Sequence, residues 1–352
     1  MAKKKKTLPK NFNELIEKKD IEALKAVFDT CELDARGGYG KTTALSFWGI
    51  PDELIIWLVE NGADLEAVDT YNHTALHQNA MIRTGKVSTL LGANIHVRDH
   101  YGDTPLHFAC GSGFNVDAVK KLIEYGADTN ALNNYKQTPL ERALVRANNI
   151  DLKNLAEISK ILLKSDIEIT QTMKDAVVRR GEDFEFHREN FNKDYLEETD
   201  HALKQLYEMY NVPPVKRRIL HDGVSPISVT GTTWEKQFEE LWELLIPSKG
   251  SSKTIQGEVV RISGKVRDEI YRNGGGNWNI DFKKMLDTFF IHLSSNNSLS
   301  DNELEKAVLI IKYVRKNGDG EIDELNFLCE LATKWVLANT TPILLSEPNY
   351  KR

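Results

Sequence analysis

No segment of the sequence is long and apolar enough to cross a bilayer, which takes roughly 18 or more consecutive apolar residues. The opening residues, Met1-Ala2-Lys3-Lys4-Lys5-Lys6 with Pro9 and Lys10 behind them, also lack the apolar centre of a secretion signal. The expectation is a protein that neither spans a membrane nor follows the classical export route. Cysteine is scarce: Cys31, Cys110 and Cys329 lie far apart, with no CxxC and no Cys/His cluster. That spacing argues against a disulfide scaffold or a structural zinc site. Basic charge is not in excess either, with Lys+Arg 46 against Asp+Glu 52 and no basic block beyond the lysine run. Phosphate contacts supply most non-specific nucleic-acid affinity, so nucleic acid is a poor partner for this chain. No HExxH, GxSxG, dinucleotide fingerprint or Cys-His nucleophile signature occurs, and the sequence names no catalytic residue, cofactor or metal ligand.

What the first half does contain is repetition. Thr43-Ala44-Leu45-Ser46, Thr74-Ala75-Leu76-His77, Thr104-Pro105-Leu106-His107 and Thr138-Pro139-Leu140-Glu141 recur at spacings of 31, 30 and 34 residues. A second marker, Gly62-Ala63-Asp64, Gly92-Ala93-Asn94 and Gly126-Ala127-Asp128, keeps the same period. Threonine caps a helix, and proline at the first helical position loses no needed donor, so the first marker opens a helix. The glycines follow apolar periodic segments such as Val119, Leu122 and Ile123, where a left-handed residue closes a second helix.

Tyr101 to Ala109 (Tyr-Gly-Asp-Thr-Pro-Leu-His-Phe-Ala) and Leu122 to Ala131 (Leu-Ile-Glu-Tyr-Gly-Ala-Asp-Thr-Asn-Ala) resemble the ankyrin repeat almost position by position. The resemblance covers residues 10 to 167: a capping pair from Asn11 to Ala35, then units near 37–69, 70–99, 100–132 and 133–167. The second unit is short, with 15 positions from His77 to Gly92 against 19 from His107 to Gly126, which predicts a shortened helix. The family implies a curved solenoid whose concave face recognises protein. In such repeats the histidine at the fourth marker position ties neighbouring loops together through hydrogen bonds, so His77 and His107, with His73 and His100 nearby, are expected to be structural and not metal ligands. Tyr71, Tyr101 and Tyr135 each stand three residues before the marker threonine, and Tyr39 four before Thr43, forming an aromatic row if the hairpins align. Aromatic rings with a polar tip are favoured interface anchors. The hairpin-tip residues Tyr71, Tyr101, Tyr135, Asp69, Asp99, His100, Asn133 and Lys136 are the expected partner-binding set.

Ala35-Arg36-Gly37-Gly38-Tyr39-Gly40-Lys41-Thr42 imitates a phosphate loop, but its register is that of a repeat hairpin, and no buried strand is expected before it.

The second half is less legible. Residues 168 to 215 are charged and helix-prone, with Tyr195, Leu196, Leu203, Leu206, Tyr207 and Tyr210 at helical spacing until Val212-Pro213-Pro214. Trp234, Phe238, Leu241, Trp242 and Leu245 share one helical face. In Ile255 to Arg272, an apolar stripe (Ile255, Val259, Ile262, Val266, Ile270) faces away from Gly257 and Gly264. Two glycines on one helical face predict a closely packed central helix. Its charged stripe, Glu258, Arg261, Lys265, Asp268 and Arg272, reads as a solvated face. The Gly-rich turn at 273–278 lacks the strand and helix context of a phosphate site. Asn317-Gly318-Asp319-Gly320-Glu321-Ile322-Asp323 looks like a calcium loop. Placing Gly320 at its turn, however, puts Arg315 and Asn326 where carboxylates are needed, so a metal-free helical hairpin is expected. That hairpin is similar to those of TerB-like tellurite-resistance domains, and this half as a whole resembles bacterial-type helical domains.

The expected fold is all-α, an ankyrin-repeat solenoid followed by a C-terminal helical bundle domain. Its predicted parts are a basic tail (1–10), the solenoid (11–167), a connecting region (168–231), the helical domain (232–340) and a tail (341–352). The expected function is capture of a protein partner, a toxin or a host protein, with neither nucleic acid nor membrane as partner. Three roles fit that function: a bacterial inhibitor or immunity protein, a host-directed effector with an enzymatic C-terminal domain, or a non-inhibitory scaffold. The expected location is the cytoplasm, with specialised secretion into a host cell left open.

Overall fold

The computed structural model describes residues 3–83, 87–90, 92–165 and 167–351. It forms two compact units, one comprising residues up to Phe184 together with Asn192–Val215, the other Glu185–Phe191 together with Lys216–Arg352. Among the described residues no helix is long and apolar enough to cross a membrane.

The first unit opens with β1 (Lys5–Thr7), α1 (Phe12–Lys18), α2 (Ile21–Thr30), β2 (Cys31–Gly37) and β3 (Thr42–Thr43). The lysine run expected to be a basic tail is therefore in part a strand. β1 pairs parallel with β2, and Leu8 N–H donates to Arg36 O (3.0 Å), satisfying backbone groups that β2 would otherwise leave unpaired. A strand does precede the phosphate-loop look-alike, but only Cys31 and Ala35 of it are buried, so it is not the buried strand a phosphate loop needs. It is followed by β3, paired antiparallel through Arg36 with Thr43 and Gly37 with Thr42, so the segment is a β-hairpin.

Stacked helix pairs follow: α3 (Asp52–Glu60) behind the 3₁₀ turn Ala44–Ser46; α4 (Ala75–Met81) with the 3₁₀ turn Val87–Leu90; α5 (Pro105–Phe108) with α6 (Val116–Glu124); and α7 (Pro139–Arg146) with α8 (Leu152–Leu162). A four-residue 3₁₀ turn thus stands in the second repeat where the third has the nine-residue α6. Gly62, Gly92 and Gly126 have φ of +86°, +99° and +92°, the left-handed conformation that ends a helix. Each pair buries its apolar face only against its neighbours, and the last pair needs a cover. Residues 168–184 and 192–215, within the stretch 168–231 expected to connect, supply that cover as part of the first unit. α9 (Gln171–His187) buries Met173, Val177 and Phe184, and α10 (Leu196–Tyr210) packs on α8, where Tyr210 donates to Ser159 Oγ at 3.0 Å.

The second unit contains α11 (Trp234–Leu245), α12 (Ile255–Tyr271), α13 (Ile280–Leu293), α14 (Asp301–Asn317) and α15 (Ile322–Ala338). α12 is central: 12 of its 17 residues are buried, and it packs against α11, α13 and α15. The Asp-Gly turn links α14 to α15, with Gly318 as a left-handed cap. The charged stripe on α12 is a solvated face only in its second half, where Asp268 and Arg272 are accessible; its first half is core. Glu258 and Arg261 are fully buried and form a bidentate pair, with Nε to Oε2 at 2.8 Å and the second guanidinium nitrogen to Oε1 at 2.5 Å. Burial opposes the Glu258 charge, but hydrogen bonds from Arg261, Tyr350 and Ser252 outweigh it and hold the carboxyl below its usual range.

Of the predicted tail 341–352, the described residues 341–351 are fixed along α12. Ile255 N–H donates to Ile343 O (2.8 Å), Gln256 Oε1 accepts from Ile343 N–H (3.0 Å), and Gln256 Nε2 donates to the carbonyls of Asn339 and Thr341, each at 2.7 Å. Buried Tyr350 donates to Glu258 Oε1 at 2.7 Å.

Candidate functional site

The candidate site is built from the hairpins that precede each inner helix. Asp69, Asp99 and Asn133 close them identically, each N–H donating at 3.0 Å to the carbonyl four residues on, in His73, Asp103 and Gln137. Their side-chain oxygens then accept two further backbone N–H bonds. Asp99 Oδ1 takes Tyr101 and Asp103 at 2.8 Å, and Asn133 Oδ1 takes Tyr135 and Gln137 at 3.0 Å. A side chain that mimics the backbone in this way fixes the turn. Successive hairpins are laddered, with Thr70, His100 and Asn134 N–H donating to the carbonyls of Gly40, Tyr71 and Tyr101 at 3.0, 3.2 and 2.9 Å.

This placement divides the predicted binding set. Tyr71, Tyr101 and Tyr135 project at the tips, 45%, 50% and 65% exposed, and the Tyr101 and Tyr135 rings stack with centroids 6.4 Å apart. His100 and Lys136 are also exposed, Lys136 in the left-handed region with φ +61°. The side chains of Asp69, Asp99 and Asn133 are instead consumed in holding the turns. The prediction placed them at the surface because spacing shows the tip, not which of its side chains points inward. At Gly102, φ is +74° and an added Cβ would stand 2.6 Å from Asn134 Oδ1, so glycine permits the hairpins to stack there.

Behind the tyrosines lies a groove of about 530 Å³ lined by His73, Asp99, Asp103, Phe108, Asn133 and Arg142, with Tyr101, Tyr135 and Arg146 along it. Its floor is a buried polar network. Arg142 Nε meets Asp103 Oδ2 at 3.0 Å, its guanidinium donates to His107 O (2.7 Å) and Ser112 Oγ (3.1 Å), and it lies 5.1 Å from the Phe108 ring centroid. Burial weakens the arginine's hold on its proton, and the charge of Asp103 counters that loss. Asn133 Nδ2 donates to the other Asp103 oxygen at 2.8 Å. His73 stands between Asp69 Oδ2 (3.2 Å) and Asp99 Oδ2 (3.3 Å), and the latter oxygen is buried without a hydrogen bond. Asp103, Phe108, Arg142 and Arg146 were not predicted as site residues. Aligning the repeats reveals one of them, because Arg142 occupies the inner-helix position held by Gln78 and Phe108 in the two preceding units.

The marker histidines tie adjacent repeats together. His77 Nδ1 accepts from Thr74 N–H (3.2 Å), so Nε2–H donates to Asp103 O (3.1 Å) in the next unit; His107 repeats this with Thr104 (3.1 Å) and Gln137 O (3.1 Å). Burial pushes His77 down to about 4 and lowers His107 likewise, keeping both rings neutral near pH 7. Among the described residues no group of three or more His, Cys, Asp or Glu is placed to hold a metal ion.

A family model described as ankyrin repeats (three copies) matches residues 79–173. Among known proteins the chain is 33% identical over 99 residues to mouse protein phosphatase 1 regulatory subunit 27, covering 27% of this chain and 60% of that protein. It is 29% identical over 178 residues to an ankyrin repeat protein of fowlpox virus, covering 48% and 50%, and 31% identical over 124 residues to ankyrin repeat and SOCS box protein 6 of Pongo abelii, covering 34% and 29%. The chain thus spans less than two thirds of the length of these relatives. The repeated hairpin and helix pair, the threonine-histidine ties between repeats and the family match together identify the first unit as one built of ankyrin repeats.

Proposed function

We propose that the first unit captures a protein partner across the groove, with Tyr71, Tyr101 and Tyr135 as anchors and His100, Lys136 and Arg146 around them. The observation that carries this reading is the row of half-exposed tyrosines at one-repeat spacing beside a groove of about 530 Å³. Tyrosine offers a large rigid surface at little entropic cost, and such rings dominate binding energy where they cluster. Because the hairpins are laddered and their turns internally bonded, the row is ordered before binding and little is lost on association.

Affinity capture with the full chain, followed by titration of the purified partner, tests the proposal. Tyr101→Ala with Tyr135→Ala should weaken binding by roughly 30-fold or more. Unchanged affinity would remove the groove from consideration. The finer reading is inhibition by occupancy, as a bacterial immunity protein acts on a toxin. It requires the partner's activity to fall along the same saturation curve as binding. A saturated partner with unaltered activity identifies a scaffold instead. An effector with an enzymatic second unit cannot be tested at Glu258 or Arg261, since these form a core ion pair and replacing either one alone destabilises the bundle.

A further inference from the structure

The second unit carries a groove of about 430 Å³ between α11 and α12 that no step above uses. Its volume lies in the range of small-molecule pockets. Phe238 and Trp242 on α11 supply its aromatic wall, their ring centroids 6.2 Å apart. Gly264 on α12 makes it possible, because a Cβ there would stand 2.3 Å from Trp242 Cζ3 and drive the indole away from the helix.

The charges around this groove are unevenly matched. Glu243 is held by Arg218 at 2.8 Å, and Asp268 lies 3.5 Å from Arg272. Arg267 is partly buried over the Phe238 ring, 5.5 Å from its centroid, and pairs with no carboxylate among the described residues. A partly desolvated guanidinium without an anion is costly, and an incoming carboxylate would remove that cost. Trp242 Nε1–H also donates to no group among the described residues, which leaves a second donor beside the aromatic wall. Glu239 also lines the groove, exposed and with no ion pair among the described residues, which disfavours a doubly charged guest.

We propose that this groove binds a small aromatic monocarboxylate, its ring lying on Trp242 and its carboxylate on Arg267, whose guanidinium is backed by the buried Phe238 ring. The amide isostere, lacking the charge, is the discriminating control. Phenylacetate, phenylacetamide and phenyl phosphate are titrated into the full chain, following the Trp242 indole N–H by NMR and assigning that signal with Trp242→Phe. Phenylacetate should shift the signal saturably, with phenylacetamide roughly tenfold or more weaker because one charge-assisted contact is missing. Arg267→Gln, checked for an otherwise unchanged spectrum, should erase the difference between acid and amide, and Gly264→Ala should abolish binding of both. The proposal is overturned by equal affinity for acid and amide, by phenylacetate affinity unaltered in Arg267→Gln, by tighter binding of the phosphate, or by no saturable shift up to about 10 mM.

Discussion

Lowering the pH from 7 to 4.5 should loosen the first unit by a calculable amount, because its repeats are joined through neutral histidines. His77 titrates near 6.5 when unfolded and at about 4 in the folded chain, depressed chiefly by burial. The unfolded chain therefore binds the proton more readily, and folding stability falls as the pH drops through this window. The contribution is complete above pH 6.5 and gone below about 4. From those two values the loss is about 1.4 kcal/mol at pH 5.5 and about 2.6 kcal/mol at pH 4.5, approaching a limit of about 3.4 kcal/mol. His107, lowered by burial as well, adds a term of the same sign. Hydrogen exchange of the full chain, read by mass spectrometry over peptides covering 70–82 and 100–110 and corrected for intrinsic rates, resolves this from events in the second unit. The opening free energy of these peptides should fall along that curve. It should flatten when His77→Gln and His107→Gln are combined, although the double variant starts from a lower stability. An opening energy independent of pH between 7 and 4.5, or the same pH slope in the double variant, would refute the assignment of these rings as neutral ties.

Three further outcomes follow from the geometry. Glu258→Gln leaves the buried Arg261 charge without its counterion and should destabilise the second unit by about 3 kcal/mol in urea titration, whereas replacing both residues with methionine should recover much of that loss. Lys136 holds a left-handed backbone that glycine adopts freely, so Lys136→Gly should raise the unfolding midpoint by the equivalent of about 1 kcal/mol. Cys31, Cys110 and Cys329 are all buried and free, with burial pushing Cys329 up to about 11. Ellman's reagent should therefore titrate no thiol in the native chain and three in denaturant; a fast-reacting native thiol would contradict this packing.

Legibility in the sequence differed between the two halves for a physical reason. A repeat writes its signals several times over, so the threonine and glycine markers located the helix boundaries and the tyrosine row before any coordinates. Inward and outward side chains of a tight turn share one spacing, which is why Asp69, Asp99 and Asn133 were expected beside the tyrosines although they hold the hairpins. The buried half of the charged stripe on α12, Glu258 and Arg261, is hidden in the sequence for a related reason. Alternating signs at helical spacing describe a solvated face and a buried bidentate pair equally well, and only the packing around Glu258 and Arg261 separates them. Residues 3–10 and 341–351 resisted reading because their partners, β2 and α12, lie far away along the chain. The groove at Gly264 was half visible: two glycines on one face announced a close neighbour, but not that Trp242 was the residue pressed against it.

The strap along α12 also bears on how the two units are made. Ile343 and Tyr350 bond to Gln256 and Glu258, nearly a hundred residues earlier, so during synthesis α12 emerges with its Gln256 amide unpaired and with Glu258 held by Arg261 alone. The repeats ahead of it close mainly through contacts between neighbouring units and are free to fold while translation continues. The helical bundle has to wait until its last segment clears the ribosome, and in that interval α12 is the part of the nascent chain most in need of a chaperone's cover.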